Sequence, residues 1–312
     1  MIVISSQSSG VLRSCTALLT AVAAVATTCL LTGCGAGPAP AAADGKMTVV
    51  AAFYPLQFAT EQVGGDRVTV TNLVKPGAEP HDLELQPSQM ADLERADLVV
   101  YLRGMQPAVD AAVDQNATKS ALDTSTVTPL RDAPAGSEDL GRDPHIWLDP
   151  TRLAAVADTI ANRLAALDPA HSAAIRARAA ALRTRLEALD REYATGLAHC
   201  QRHEIVTSHA AFGYLATRYN LTQVPITGLA PDEEATPRHL SEAASLARRY
   251  HATTIFFESL VSPKIAETVA REIGAKAEVL DPVEGIEPGS SDDYFSVMHA
   301  NLTTLRTALD CS

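Results

Sequence analysis

The sequence predicts an α/β protein of two lobes, each built on a parallel sheet, with one long helix between them. Three observations carry this. Short β-branched runs alternate with helical stretches from Thr48 to Leu102, and again from Glu204 to Leu309. That alternation is the mark of a parallel sheet with crossover helices. Between the two runs, Ile175, Leu182, Leu186, Leu189, Tyr193 and Leu197 form one stripe at helical spacing.

Taken in order, residues 1–33 hold no acid and one base, Arg13, and their apolar run spans Ala17 to Leu31. The run is short for a membrane span and reads as a leader. Gly35 to Lys46 is rich in Ala, Pro and Gly, the composition of a flexible tether. In the first lobe, strands are expected at Thr48–Phe53, Val68–Val74 and Leu98–Leu102, with helices at Leu56–Val63 and Pro87–Ala96. The segment Asp143-Pro144-His145-Ile146-Trp147-Leu148-Asp149-Pro150 holds the only tryptophan, with a proline on either side. Proline fixes its own φ and pushes the preceding residue toward extended geometry, so His145 is expected on a stiff, short, extended segment anchored by Trp147. Asp149-Pro150 and Asp168-Pro169 each place an N-cap acid before a proline, the start signal of a helix. From Pro169 to about His199 the second helix would run about 45 Å. Its stripe suits a coiled-coil seam or one helix packed along two lobes. In the second lobe, strands are expected at Glu204–Ser208, Gln223–Ile226, Thr254–Phe257 and Ala277–Leu280, with helices at Phe212–Arg218, Pro237–Tyr250, Pro263–Ile273 and Asp292–Leu309. The divisions are a leader at 1–33, a tether at 34–46, a first lobe at 47–167, a linking helix at 168–200 and a second lobe at 201–312.

The formal net charge is −12 over 312 residues. Without Arg13 the balance is 24 bases against 37 acids, or −13. An acidic surface argues against nucleic acid or an anionic membrane face as partner and suits a protein that meets cations. Cys15 and Cys29 lie in the leader. In an exported, oxidising setting Cys200 and Cys311 are either a disulfide, tying the chain's end to its middle, or two free thiols.

Ligands of open parallel sheets gather beyond the carboxyl ends of the strands. His209, Glu258 and Asp281 each follow a second-lobe strand directly. His81 ends the loop Pro76-Gly77-Ala78-Glu79-Pro80-His81-Asp82, and His145 sits in the tryptophan segment. The other six histidines, His171, His199, His203, His239, His251 and His299, fall on polar or helical surface by pattern. Two or three imidazoles with one carboxylate suit a four-coordinate zinc ion, and neutral imidazole disfavours magnesium and calcium. No short HxxxH or CxxC spacing adds to this.

Further resemblances sharpen the reading. Leu31-Thr32-Gly33-Cys34, after an apolar run, resembles the lipobox of bacterial lipoproteins, which implies cleavage before Cys34 and lipidation of its thiol. Phe53-Tyr54-Pro55-Leu56, Pro80-His81-Asp82, Gln86-Pro87-Ser88, Asp143 to Pro150, Ser208-His209-Ala210-Ala211-Phe212-Gly213-Tyr214, Phe257-Glu258 and Leu280-Asp281-Pro282 together resemble the metal-binding lipoproteins of zinc and manganese ABC importers, the cluster A-I solute-binding proteins. The likeness runs in order over nearly all of the chain after the tether. It implies two α/β lobes bridged by one rigid helix, with a metal site in the cleft between them. It carries ligand roles onto His81, His145 and His209, and a carboxylate role onto Asp281. Glu79 is the alternative fourth ligand; Glu258 either orients a histidine from behind or caps its strand. A histidine at position 209 gives three imidazoles and favours zinc over manganese. Many zinc members carry a histidine-rich loop between their first two ligands, whereas residues 82–144 here contain no histidine.

The expected function is therefore capture of zinc by a monomeric lipoprotein on the outer face of the cell membrane, for delivery to an ABC permease and its ATPase. A manganese or iron carrier of the same family is the nearest alternative. From other classes, a zinc hydrolase would need an open coordination position and a base such as Glu258, and an adhesin would need a surface that nothing in the sequence marks. No catalytic residue and no nucleic-acid contact is expected.

Overall fold

In the computed structural model, residues 45–133, 141–231 and 237–312 are described. The expected leader, the Cys34 lipidation site and nearly all of the tether lie outside them. The first lobe opens with β1 (Met47–Ala51), α1 (Tyr54–Gly64), β2 (Val68–Asn72), α2 (Pro87–Arg95) and β3 (Leu98–Tyr101). α3 (Pro107–Asn116) and β4 (Ala121–Asp123) complete its sheet, and β5 (Arg131–Asp132) pairs antiparallel with β6 (Arg142–Asp143). After α4 (Pro150–Leu167) and α5 (Ser172–Gly196) come β7 (Glu204–Thr207), α6 (Gly213–Arg218), β8 (Thr222–Pro225) and α7 (Pro237–Arg249). The chain ends with β9 (Thr254–Phe257), α8 (Lys264–Ile273), β10 (Lys276–Val279) and α9 (Tyr294–Leu309).

Both four-stranded sheets are parallel, in the orders β2-β1-β3-β4 and β10-β9-β7-β8. They share one topology: the second strand lies on one side of the first, the third and fourth on the other. The inner strands are covered on both faces, so they read as unbroken apolar runs. Val49, Val50, Leu98, Val99 and Val100 are fully buried. In each sheet the chain reverses direction between its first and third strands. That gap, at the carboxyl ends, is where an open α/β sheet offers a crevice.

The bridging helix is α5, with α4 packed along it and a tight turn at Pro169–His171 between them. Asp149 caps α4 by accepting from the Thr151 amide, as its Asp-Pro signal requires. Asp168 does not cap α5; its carboxylate binds Arg67 and His171 instead. α5 is therefore shorter than expected, about 37 Å. Its stripe is buried from Ile175 to Tyr193. Near its start, Arg178 donates to the last carbonyls of α1, Val63 and Gly64, at 2.8 and 2.7 Å. Near its end, the Tyr193 hydroxyl donates to the Met298 carbonyl of α9 at 2.6 Å. One helix is thus fastened to both lobes, and one continuous core runs from β1 through α4 and α5 to α9.

The chain's end is fixed by the disulfide Cys200–Cys311, which closes a separation of 111 residues. A loop of that length removes much chain entropy from the unfolded state. Replacing both cysteines by serine should cost about 2–5 kcal/mol in urea unfolding, and reduction of the native protein should give the same loss. Three elements, α3, β4 and the β5–β6 ribbon, lie where the sequence pattern assigned none. α3 buries only Val109, Ala112 and Val113, too small a stripe to read.

Candidate metal centre

Four segments, two from each half of the chain, bring one side chain each to the crevice. His81 comes from the loop after β2. Its backbone is held on two sides: the Glu79 carboxylate accepts the amides of His81 and Asp82, and Gln106 donates to the Pro80 carbonyl at 3.1 Å. His145 follows β6. It lies not in an extended segment, as the flanking prolines suggested, but at the head of a 3-10 turn, Ile146–Leu148. Trp147 is the anchor of that turn. Its indole donates to the Pro282 carbonyl at 2.7 Å, its ring meets Phe53 edge-on at 4.9 Å, and its carbonyl accepts the Tyr294 hydroxyl at 2.7 Å.

His209 follows β7, the first strand of the second sheet, beside the topological switch point. Its carbonyl accepts the Thr207 hydroxyl at 2.7 Å and the Gln223 amide at 2.9 Å. The fourth side chain is Glu284, in the loop after β10. Asp281, expected as the carboxylate ligand, lies outside the cluster. Its carboxylate is spent locally, accepting the Val283 amide at 2.6 Å and the Ser259 hydroxyl. This short Asp turn throws the chain over and delivers Glu284 three residues later. Val283, between them, has φ +58°, a left-handed conformation strained for a β-branched residue. Glu79, the alternative for the fourth place, is also outside the cluster and holds the His81 backbone, and Glu258 stands behind His209.

The ligand atoms of His81, His145, His209 and Glu284 all lie within 4.8 Å of one another. Glu284 Oε1 is 3.0 Å from His145 Nε2 and 3.5 Å from the Nε2 atoms of His81 and His209. A tetrahedral ion with bonds near 2.05 Å needs ligand atoms about 3.3 Å apart, a spacing that Glu284 Oε1 already keeps from each imidazole. All four residues are buried, and none of these four atoms has a hydrogen-bond partner. Unpaired buried polar atoms are costly, and four aimed at one point call for an occupant. Among the described residues this is the one group of three or more His, Cys, Asp or Glu side chains arranged to hold an ion.

Two of the imidazoles are oriented by carboxylates. Asp143 Oδ1 accepts both the amide of His145 at 3.0 Å and its Nδ1 at 2.8 Å. Glu258 Oε1 binds His209 Nδ1, and the Ser208 hydroxyl donates to the same oxygen at 2.6 Å. With the proton held on Nδ1, each ring presents the Nε2 lone pair to the centre and is a better donor. Gly213 makes room for this: a Cβ there would come within 2.7 Å of Asp143 Oδ2.

The charges follow from that geometry. Burial opposes a proton on His209, but the Glu258 charge and hydrogen bond, with Glu284, outweigh it and push the imidazole up to about 10. Burial likewise opposes His145 and is outweighed by Asp143 and Glu284, so it is raised. His81 has no carboxylate behind its Nδ1; burial dominates and it is lowered. Burial alone would raise Glu284, but the three imidazoles hold it well below the usual carboxylate range. Burial and the nearby Glu284 charge push Glu79 up to about 7.

Three comparisons bear on this arrangement. The sequence profile of a family described as "ZnuA: Zinc-uptake complex component A periplasmic" matches residues 49–308. The zinc-binding lipoprotein AdcA of Streptococcus pneumoniae serotype 4 is 34% identical over 287 residues, covering 86% of this chain and 57% of that protein. The high-affinity zinc uptake system protein ZnuA of Bacillus subtilis is 32% identical over 300 residues, covering 90% of this chain and 94% of that protein. Among solved structures, the Zn(II)-bound ZnuA-like domain of pneumococcal AdcA superposes with a TM-score of 0.74 at 34% identity, covering 85% of this chain and all of that one. The chain thus spans little more than half the length of the AdcA relatives it matches. A match over 260 residues, with the parallel two-lobed fold and the buried three-histidine, one-carboxylate cluster, leads to one conclusion: this chain belongs to the ZnuA family, the component A proteins of zinc-uptake complexes.

Proposed function

We propose that the chain captures zinc outside the cytoplasm and hands it to an ABC permease powered by its ATPase, working as a monomer held to the membrane by lipid on Cys34. The observation that carries this is the convergence of four buried, unpartnered ligand atoms within 4.8 Å of one another. Three imidazoles with one carboxylate suit zinc better than the harder manganese ion. A sphere filled by four protein atoms leaves no position for a metal-bound water, and Glu258, the candidate base, is engaged with His209 and Ser208. Those features favour capture over hydrolysis. The leader and the Leu31-Thr32-Gly33-Cys34 sequence support export and anchoring; no helix among the described residues is long and apolar enough to cross a membrane.

The test is competition between zinc and manganese for the purified protein, repeated across pH. Zinc should bind one per chain and resist equimolar manganese. Below pH 10 the metal-free His209 carries a proton that zinc must displace, and His145 is raised in the same sense. Affinity should therefore fall with acidity, by about tenfold per pH unit for each proton displaced. Manganese displacing zinc, or affinity flat from pH 7 to 5, would count against this reading.

A further inference from the structure

Helix α9 buries an apolar face made of Tyr294, Phe295, Met298, Leu305 and Leu309, and in the middle of it stands Asn301, 2% exposed. A leucine would continue that face, and a buried amide is costly unless its groups are paired. Here both are paired, and to a single residue. Asn301 Oδ1 accepts the Asp281 amide at 2.9 Å, and its Nδ2 donates to the Asp281 carbonyl at 2.7 Å. The side chain thus stands in for a neighbouring strand. The Leu280 amide still bonds to the Phe257 carbonyl of β9. One residue later the chain leaves the sheet and Asn301 takes over.

What Asn301 holds is the turn that leads to Glu284. Three successive residues are gripped: Asp281 by Asn301 at both backbone groups, Pro282 by the Trp147 indole at its carbonyl, and Val283 by the Asp281 carboxylate at its amide. A left-handed valine persists only where its surroundings fix it, and Val283 has φ +58°. Glu284 comes next, with Oε1 aimed at the three imidazoles and no hydrogen-bond partner of its own. The helix behind Asn301 is itself fastened. The Tyr294 hydroxyl donates to the Trp147 carbonyl at 2.7 Å, and the Met298 carbonyl accepts the Tyr193 hydroxyl of α5 at 2.6 Å. Residues 294, 298 and 301 lie on one helix face, so the amide reaches Asp281 from a fixed support.

We propose that Asn301 is a positioning residue for zinc capture: it sets Glu284 opposite the imidazoles before the ion arrives. The inference rests on the zinc-capture reading and adds what prepares the carboxylate. A donor already in place loses little freedom when the ion binds, and that saving appears as affinity. Without the amide pair, the two Asp281 backbone groups turn to water, Val283 relaxes, and the carboxylate is no longer offered to the crevice.

The test is a double-mutant cycle read by zinc titration against a competing chelator. Asn301→Leu, similar in volume but without either hydrogen bond, should weaken zinc binding by about 10–100-fold, the loss typical of residues that orient a metal ligand. On a Glu284→Ala background the same substitution should cost no more than about threefold, because the carboxylate it positions is gone. Asn301→Ser, which leaves room for a water at the Asp281 backbone, should show the same pattern with a smaller first loss. Far-ultraviolet circular dichroism and a melt of the metal-free variants identify which substitution keeps the fold, and the cycle is read on that one. Thr307→Ala, exposed on the same helix with its hydroxyl bonded to the Thr303 carbonyl, should change nothing. Native affinity in the folded Asn301 variant, or equal losses with and without Glu284, overturns the proposal while zinc capture stands. A native protein that binds no zinc overturns both.

Discussion

Replacing Glu284 by alanine should lower zinc affinity by about a thousandfold or more, which corresponds to about 4 kcal/mol. The variant removes the one negative ligand facing a dication and opens the sphere of a buried site. Three imidazoles then carry the whole charge of the ion in surroundings that screen it poorly. Asp281→Asn should leave affinity within about threefold, because an asparagine oxygen can still accept the Val283 amide and keep the turn. The contrast separates two carboxylates three residues apart, one aimed at the three imidazoles and one a builder of the loop. Isothermal titration against a competing chelator reads both, and a melt of the metal-free variants guards against misfolding. Equal losses for the two variants would return Asp281 to the metal.

Trp147→Ala should destabilise the metal-free protein by about 3–5 kcal/mol. The side chain is 1% exposed and joins three parts of the molecule: Phe53 after β1, the His145 turn, and the Pro282 loop that leads to Glu284. Its loss opens a cavity and leaves the Pro282 carbonyl without its donor. Because the indole ties the loop of one ligand to the turn of another, zinc affinity should also fall. Trp147→Phe keeps most of the packing and loses the hydrogen bond, so about 1–2 kcal/mol is expected. Urea unfolding followed by far-ultraviolet circular dichroism measures both. A loss below 1 kcal/mol for alanine would mean that the crevice is not organised around this ring.

The three histidines were legible in the sequence because each sits where geometry is constrained early. His209 follows an apolar strand directly, His81 follows a proline, and His145 lies between two prolines beside the only tryptophan. The parallel sheets were legible for a related reason: strands covered on both faces leave apolar runs that no alternation disguises, as at Leu98–Tyr101. The fourth side chain of the cluster was not legible at that level. Counting from the end of β10 leads to Asp281, the first acid after the strand. The signal that points past it is local chemistry: an Asp-Pro pair favours a turn that consumes the aspartate. Glycine at 285 is a second sign, since a Cβ there would come within 2.9 Å of the Leu260 side chain. The 3-10 turn at Ile146–Leu148 escaped because proline restricts its predecessor but leaves the residues after it free to coil. Asp143, behind His145, was read only as part of a motif. Its role needs the distance to Nδ1, which no spacing in the sequence reveals.

These three imidazoles and Glu284 are expected to surround one zinc ion together. Zinc K-edge X-ray absorption of the loaded protein tests it most directly. Four light-atom neighbours are expected at about 2.0–2.1 Å, with the outer-ring scattering of three imidazoles and no sulfur. One imidazole or none, or a six-oxygen shell, would contradict it.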